Sequence, residues 1–285
     1  MPSARITTPT LFIIGGAEDR VGKARLLRRF VRLSGGRSSE IVVVPTASSF
    51  HDEVAEAYTE AFIRLGAPAP GIVNPRSRID SRDRALIAAL DQASGIFFAG
   101  GSQLKLSQYF PGTPLGDAVH RAHSRGAVIG GTSAGASVMS EFMISLGGEG
   151  ATPKQRLSQI SSGLGLLKGV IIDQHFVQRA RYGRLMSVVA VSPNLIGLGI
   201  DEDAAIEVGT DRVFTVHGRG SVFVLDCRDA VTDAPQARRG APLLVSGAIV
   251  HTLPAGSTFD LNSMQLTSFI EKHPDVDVSA MTATN

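Results

Sequence analysis

The sequence has one cysteine, Cys227, no tryptophan, and no apolar run near the roughly 18 residues a membrane span needs. A lone cysteine excludes an internal disulfide and a cysteine-ligated zinc site. Residues 1–10 carry one basic side chain and no apolar stretch, so no secretory leader is read there. Cytoplasmic residence is therefore expected, with no membrane partner. Charge of either sign is not in excess: 28 Lys plus Arg against 26 Asp plus Glu leave +2. Aromatic residues are only 6% and do not interleave with basic ones, so nucleic acid is not expected as a partner.

What the sequence does have is glycine, 31 of 285 residues, about 11% where about 7% is usual. With 43% hydrophobic residues, disorder is excluded, and the length permits a single domain spanning residues 1–285. Short apolar runs alternate with helical patterns. Strands are expected at Leu11–Ile14, Ile41–Val44, Ile96–Ala99, Ala127–Ile129, Val170–Ile172 and Leu195–Ile200. Most are apolar on both faces, as in a parallel sheet covered by helices on each side. Amphipathic helices are expected at Val21–Leu33, Val54–Leu65, Arg84–Leu90 and Pro114–His123, the first with Arg25, Arg28, Arg29 and Arg32 on a solvated face. After Glu207 short alternating runs, Val213–Val216, Ser221–Leu225 and Leu243–Val250, read as antiparallel strands at one sheet edge. A loose polar tail begins near Lys272. The fold class is α/β, a three-layer sandwich with a mostly parallel central sheet.

The glycines cluster in three turns, each after an expected strand: Gly15 to Asp19 (GGAED), Ala99 to Gln103 (AGGSQ) and Gly130 to Ser137 (GGTSAGAS). Ligands of open α/β sheets sit outside the carboxyl ends of the strands, so three such turns point at one crevice. Gly131-Thr132-Ser133-Ala134-Gly135 fits the G-x-S-x-G nucleophile elbow, between the strand before it and a helical run expected over Val138–Ile144. The elbow holds Ser133 in a strained conformation that projects its hydroxyl. A phosphate cradle is the rival reading, since two of the turns open helices. None matches the dinucleotide fingerprint or the lysine-containing P-loop.

A serine nucleophile needs a base, and His175 ends the strand Val170–Ile172. His120 and His123 lie on an expected surface helix with no third metal ligand in the pattern. The base in turn needs an orienting acid, and Asp201, Glu202 and Asp203 follow the strand Leu195–Ile200. Spacing does not choose among the three. A helix expected from Phe176 to near Val191 would stack Arg179 over His175 and put Arg181 and Arg184 on one side. Such a basic helix start favours an anionic, peptide-like substrate.

These segments resemble the cyanophycinases. The likeness rests on GGTSAGAS around Ser133, on GLGLLKGVIIDQHFVQRARYGRL from Gly163 to Leu185, and on GLGIDEDAA from Gly197 to Ala205. GGAED and IFFAGGSQLKL fit as well, and the similarity runs from about Leu11 to Leu225. The resemblance implies a fold like that of class I glutamine amidotransferases. It puts the nucleophile on Ser133, the base on His175 and the orienting acid on Glu202. It further implies a homodimer, no metal and no cofactor.

The implied substrate is cyanophycin, a polyaspartate backbone with arginine joined to each side-chain carboxyl, cut to β-aspartyl-arginine dipeptides. Arg179, Arg181 and Arg184 would hold carboxylates, while Gln103, Asp173 and Gln174 match pocket positions. The N–H groups of Ala134 and Gly101 would form the oxyanion hole. One departure stands out: the turn expected to read GGDQ has Ser102 in place of the aspartate. Three alternatives stay open. These are an aspartyl dipeptidase of the same fold, an α/β-hydrolase esterase with His217 or His251 as base, and a non-catalytic anion-binding module.

Overall fold

The computed structural model of the chain describes residues 9–270, so the expected tail from Lys272 lies outside the described residues. In chain order the strands are β1 (Leu11–Ile14), β2 (Ile41–Val44), β3 (Gly71–Ile72), β4 (Gly95–Phe98), β5 (Val128–Thr132), β6 (Ser140–Gly147), β7 (Ser158–Ser162), β8 (Leu167–Gln174) and β9 (Ile196–Ile200). They continue with β10 (Ala204–Val208), β11 (Val213–Gly218), β12 (Ser221–Asp226), β13 (Val231–Thr232), β14 (Val245–Ser246), β15 (Ile249–Pro254), β16 (Thr258–Asp260) and β17 (Gln265–Ser268). The helices are α1 (Arg25–Leu33), α2 (His51–Arg64), α3 (Arg84–Gln92), α4 (Gln103–Tyr109), α5 (Pro114–Ser124), α6 (Ala134–Ser137) and α7 (Tyr182–Val191).

Nine strands form the large sheet, in the order β17-β16-β11-β10-β1-β5-β4-β2-β3. From β1 to β3 every neighbour is parallel, and from β1 to β17 every neighbour is antiparallel. Parallel strands β1, β2, β4 and β5 are buried on both faces, because their apolar residues alternate between two cores. Leu11, Ile13, Val42, Val44, Ile96 and Phe98 enter one core, while Phe12, Ile14, Val43 and Phe97 enter the other beneath α1 and α2. In the second core Phe30, Phe62 and Phe97 meet at ring separations of 5.1 to 5.7 Å. Arg29, expected on a solvated face, instead docks α1 on β10 through two 2.7 Å bonds to Glu207.

The expected single sheet is corrected in one respect. The strands at Val170 and Leu195 belong to a second sheet, β15-β12-β9-β8-β6-β7. The reason is that β10 turns back antiparallel on β1 and takes the edge that β8 would need. Instead β8 pairs in parallel with β9 and with β6, and its residues Val170 and Ile172 face the core shared with the first sheet. Helix α7 covers the outer face through Leu185, Val188 and Val189.

The helix expected over Val138–Ile144 is also corrected. Helix α6 lasts one turn, and Ser140–Gly147 is strand β6, paired with both β7 and β8. Phe142, Met143 and Ile144 suit a strand, and the partners on both sides outweigh local helical spacing. Among the described residues no helix is long and apolar enough to cross a membrane.

Candidate active site

The sharp turn from β5 into α6 is built by close packing. A Cβ on Gly131 would stand 2.3 Å from the carbonyl oxygen of Gly135, and one on Gly135 would stand 2.1 Å from that of Phe98. No larger residue fits either position. Between them Ser133 takes φ 53° and ψ −115°, a conformation L-residues rarely adopt. Its own N–H bonds the Ile14 carbonyl at 3.1 Å, which ties the elbow to the end of β1.

His175 follows β8 and is likewise strained, at φ 49°. Its N–H donates to the carbonyl of Gly15 at 2.8 Å, and the next residue, Phe176, bonds Ile200 and stacks on Phe223 at 5.1 Å. The imidazole is thus clamped between the ends of β1 and β9. Ser133 Oγ lies 2.9 Å from His175 Nε2, and His175 Nδ1 lies 2.6 Å from Glu202 Oε1. An ionised carboxylate only accepts, so Nδ1 carries the proton and Nε2 is free to accept from the serine. Burial lowers the His175 pKa below its ordinary 6.5, opposed by the bond to Glu202 and assisted by the charges of Arg179 and Arg181.

The structure separates the three carboxylates that spacing left equivalent. Asp201 is buried and accepts from Val177 N (3.1 Å), Ser221 N (3.1 Å) and Ser221 Oγ (2.7 Å), so it joins backbone turns. Asp203 pairs with Arg219 at 2.5 Å. Glu202 alone faces the imidazole, with its backbone N–H held by Gln178 Oε1 at 3.0 Å. The other two candidate bases are elsewhere. His217 meets Glu207 at 3.0 Å, and His251 packs its ring on Phe259 at 4.8 Å. Burial would raise the Glu207 pKa, but the bonds from His217 and Arg29 hold it down at about 2.

Around the serine, the N–H groups of Ala134 and Gly101 donate to no group among the described residues. Gly101 has φ 141°, and a Cβ there would press on the Ala47 carbonyl at 2.1 Å. Gln103 starts α4, half-buried, and reaches the carbonyl of Ile144 at 3.3 Å. Ser102 precedes it with its N–H on the Ala47 carbonyl at 2.8 Å.

The arginine cluster differs from its expected form. Residues 175–181 make tight turns, and the helix begins at Tyr182; Arg179 closes a single turn on His175, its N–H donating to the His175 carbonyl at 3.0 Å. Arg179 is exposed. Arg184 is buried and spent on Asp173, donating from Nε to Oδ2 at 2.6 Å and from Nη2 to Oδ1. That corrects the expectation that Arg184 holds a substrate carboxylate and that Asp173 lines the pocket, since Asp173 is 1% exposed. Arg181 Nη1 bonds Gln174 O (2.6 Å), Gln174 Oε1 (2.7 Å) and Asp173 Oδ1 (3.3 Å), while its Nε meets no partner among the described residues. Burial lowers the Arg181 pKa to about 10 despite Asp173.

Two further groups touch this site. Gln178 has no sequence signal beyond its place in the arginine run. Glu18 does have one, as the first acidic residue of a Gly-rich turn after a strand, and its carboxylate accepts from Thr132 Oγ1 beside the serine at 2.5 Å. Among the described residues no group of three His, Cys, Asp or Glu side chains is arranged to hold a metal ion.

The sequence pattern of peptidase family S51 matches residues 11–216. The cyanophycinase of Synechococcus elongatus is 36% identical over 255 residues, covering 89% of this chain and 79% of that one. That of Trichormus variabilis is 36% identical over 263 residues, covering 92% and 88%, and that of Geminocystis herdmanii is 33% identical over 258, covering 90% and 95%. In fold, the chain superposes on the crystal structure of a peptidase from an acI-B1 actinobacterium with a TM-score of 0.65 at 22% identity, covering 90% of this chain and 98% of that one. With more than two-thirds of its length inside the family pattern and a third of its residues shared with these relatives, the chain belongs to peptidase family S51.

Proposed function

We propose that this protein is a cyanophycinase, a serine-type exopeptidase that cuts the polyaspartate backbone of cyanophycin to β-aspartyl-arginine dipeptides. The supporting observation is the unbroken hydrogen-bond chain from Ser133 through His175 to Glu202, in a chain about a third identical to cyanophycinases along most of its length. Ser133 Oγ attacks the carbonyl carbon of a backbone amide, and its proton passes to His175 Nε2. Glu202 holds the tautomer and stabilises the imidazolium. The N–H groups of Ala134 and Gly101 receive the developing oxyanion, a contribution worth roughly 3 kcal/mol per donor in other enzymes. As the C–N bond breaks, the imidazolium gives its proton to the leaving amine. His175 then takes a proton from water, whose oxygen attacks the acyl-serine ester; as the ester C–O bond breaks, the imidazolium returns the proton to Ser133 Oγ and both groups are restored.

Arg179 and Arg181 hold the carboxylates of the substrate, and Gln103 and Gln174 line the pocket. Asp173 and Arg184 stand behind them and fix the Arg181 guanidinium against Gln174. The chain works in the cytoplasm and, on the strength of the family resemblance, as a homodimer, which light scattering in solution tests. Incubation of pure protein with cyanophycin tests the activity: soluble β-aspartyl-arginine is expected from wild type and none from Ser133→Ala. Failure of wild type to release it, where a known cyanophycinase clears the polymer, would sink the assignment, and hydrolysis of α-aspartyl dipeptides instead would move it to a dipeptidase.

A further inference from the structure

Glu18 is a buried carboxylate, 7% exposed, that the hydrolytic steps above do not use. It accepts from Tyr58 Oη at 2.5 Å and from Thr132 Oγ1 at 2.5 Å. Both donors are neutral. Among the described residues no Lys, Arg or His nitrogen comes within 4.0 Å of it. Burying a carboxylate without a cation is costly, and two donors leave about half of its lone-pair sites unfilled. Burial and the Glu18 charge both raise the Tyr58 pKa, so the phenol keeps its proton and stays a donor.

Glu18 lines a cavity of about 200 Å³ that opens on Ser133, with Thr132 and Gly100 beside the serine and Val54 and Tyr58 as its apolar wall. At the rim the guanidinium of Arg20 lies over the Tyr58 ring, 5.5 Å from its centroid. The chain's own arginine thus shows that this ring accepts a planar cation. Arg20 also lines the cavity but forms no ion pair with Glu18. A buried carboxylate with no cation within 4.0 Å, next to an aromatic face and an apolar wall, is the chemistry that recognises a guanidinium on an aliphatic stem.

We propose that this cavity binds the arginine side chain of the substrate, with Glu18 receiving the guanidinium. The inference rests on the cyanophycinase reading and adds a direction to it. A zwitterionic substrate would turn its guanidinium toward Glu18 and its carboxylates toward Arg179 and Arg181.

The test compares β-aspartyl-arginine oligomers with oligomers carrying citrulline, a neutral isostere, in place of arginine. Wild type should cleave the arginine oligomer with kcat/KM about 10- to 100-fold higher. Glu18→Gln should lower the arginine rate by the same factor and leave the citrulline rate, which also reports a folded enzyme, nearly unchanged. Equal loss on both oligomers would overturn the proposal and make Glu18 a support for Thr132 and the elbow. A wild-type enzyme indifferent to the exchange would overturn it without any variant. If wild type cleaves neither oligomer, the cyanophycinase reading falls. Calorimetry of Ser133→Ala with the two dipeptides then decides the subsite separately: tighter binding of β-aspartyl-arginine upholds it, and equal binding overturns it.

Discussion

Gly16 lies so close to the imidazole of His175 that a Cβ on residue 16 would stand 2.3 Å from His175 Cε1 and 2.7 Å from Nε2. The glycine also has φ 116°, where a side chain is strained. The GGAED turn is therefore a floor under the base. Gly16→Ala must push the ring off the 2.9 Å line to Ser133 Oγ, and displacement of a reacting group by about 1 Å costs on the order of 100-fold in rate. The expected result is a fall in kcat of that order with KM little changed. Steady-state kinetics checks it, and a fall confined to KM would mean the floor serves substrate rather than His175.

Three neighbouring carboxylates carry three different jobs, and single amide substitutions should separate them. Glu202→Gln leaves His175 with an amide that can donate to Nδ1 and stabilise the wrong tautomer. In a serine protease triad the equivalent change costs about 10⁴ in kcat, so a loss of 10³ or more is expected here. Asp203→Asn weakens a surface pair with Arg219, which is 76% exposed, and should leave kcat within a few-fold. Asp201→Asn should act on stability, because its three accepted bonds join two turns. Measured kcat beside urea midpoints distinguishes the three, and equal losses in kcat would show that the site tolerates no change at any of them.

The contrast shows where the sequence was readable. The parallel strands were legible because their residues are apolar on both faces and each run ends in a Gly-rich or polar turn. Ser133 and His175 were legible because strand ends converge whatever joins the strands. Glu202 could not be chosen by spacing, since the choice depends on how residue 203 turns. Asp203 sits at φ 50°, its N–H on the carbonyl of Gly16, and this turns Glu202 toward His175. The division into two sheets was hidden for a similar reason. Nothing local in Ala204–Val208 says that it returns antiparallel along β1 rather than leaving that edge open. Strand β6 was misread as helix because its decisive partners, β7 and β8, come later in the chain. The arginine run kept its charge count but not its geometry, because Asp173 draws two of its members inside the fold.

That internal pairing makes a stability prediction. Asp173 and Arg184 are both more than nine-tenths buried, and removal of one partner from a buried ion pair costs about 3 to 5 kcal/mol. Arg184→Leu and Asp173→Asn should each lose that much in chemical unfolding. The double variant should lose less than their sum, because it buries no orphaned charge between these two positions. Arg179→Ala, at an exposed site, should change stability by less than about 0.5 kcal/mol while raising KM. Additive losses in the double variant would mean the two side chains act independently, against the bidentate geometry.

The base itself sets the pH response. His175 must be neutral to accept the serine proton, and its pKa lies below 6.5, first because it is buried and then because Arg179 and Arg181 repel its charged form. Activity is therefore lost as pH falls through the His175 pKa, which lies on the acid side of 6.5. The acid limb of kcat/KM reports that value in the free enzyme. Two variants should move the limb in opposite directions. Arg179→Gln removes a cation that disfavours imidazolium, so the limb should rise toward 6.5. Glu202→Gln removes the carboxylate that favours imidazolium, so the limb of its residual activity should fall further. Because Arg179 is exposed, raising the ionic strength should move the wild-type limb in the same direction as the first variant does, and move it less in Arg179→Gln. A pH–rate series at two salt concentrations for the three proteins measures all of this. An acid limb that stays in place in both variants would show that some group other than His175 is titrating.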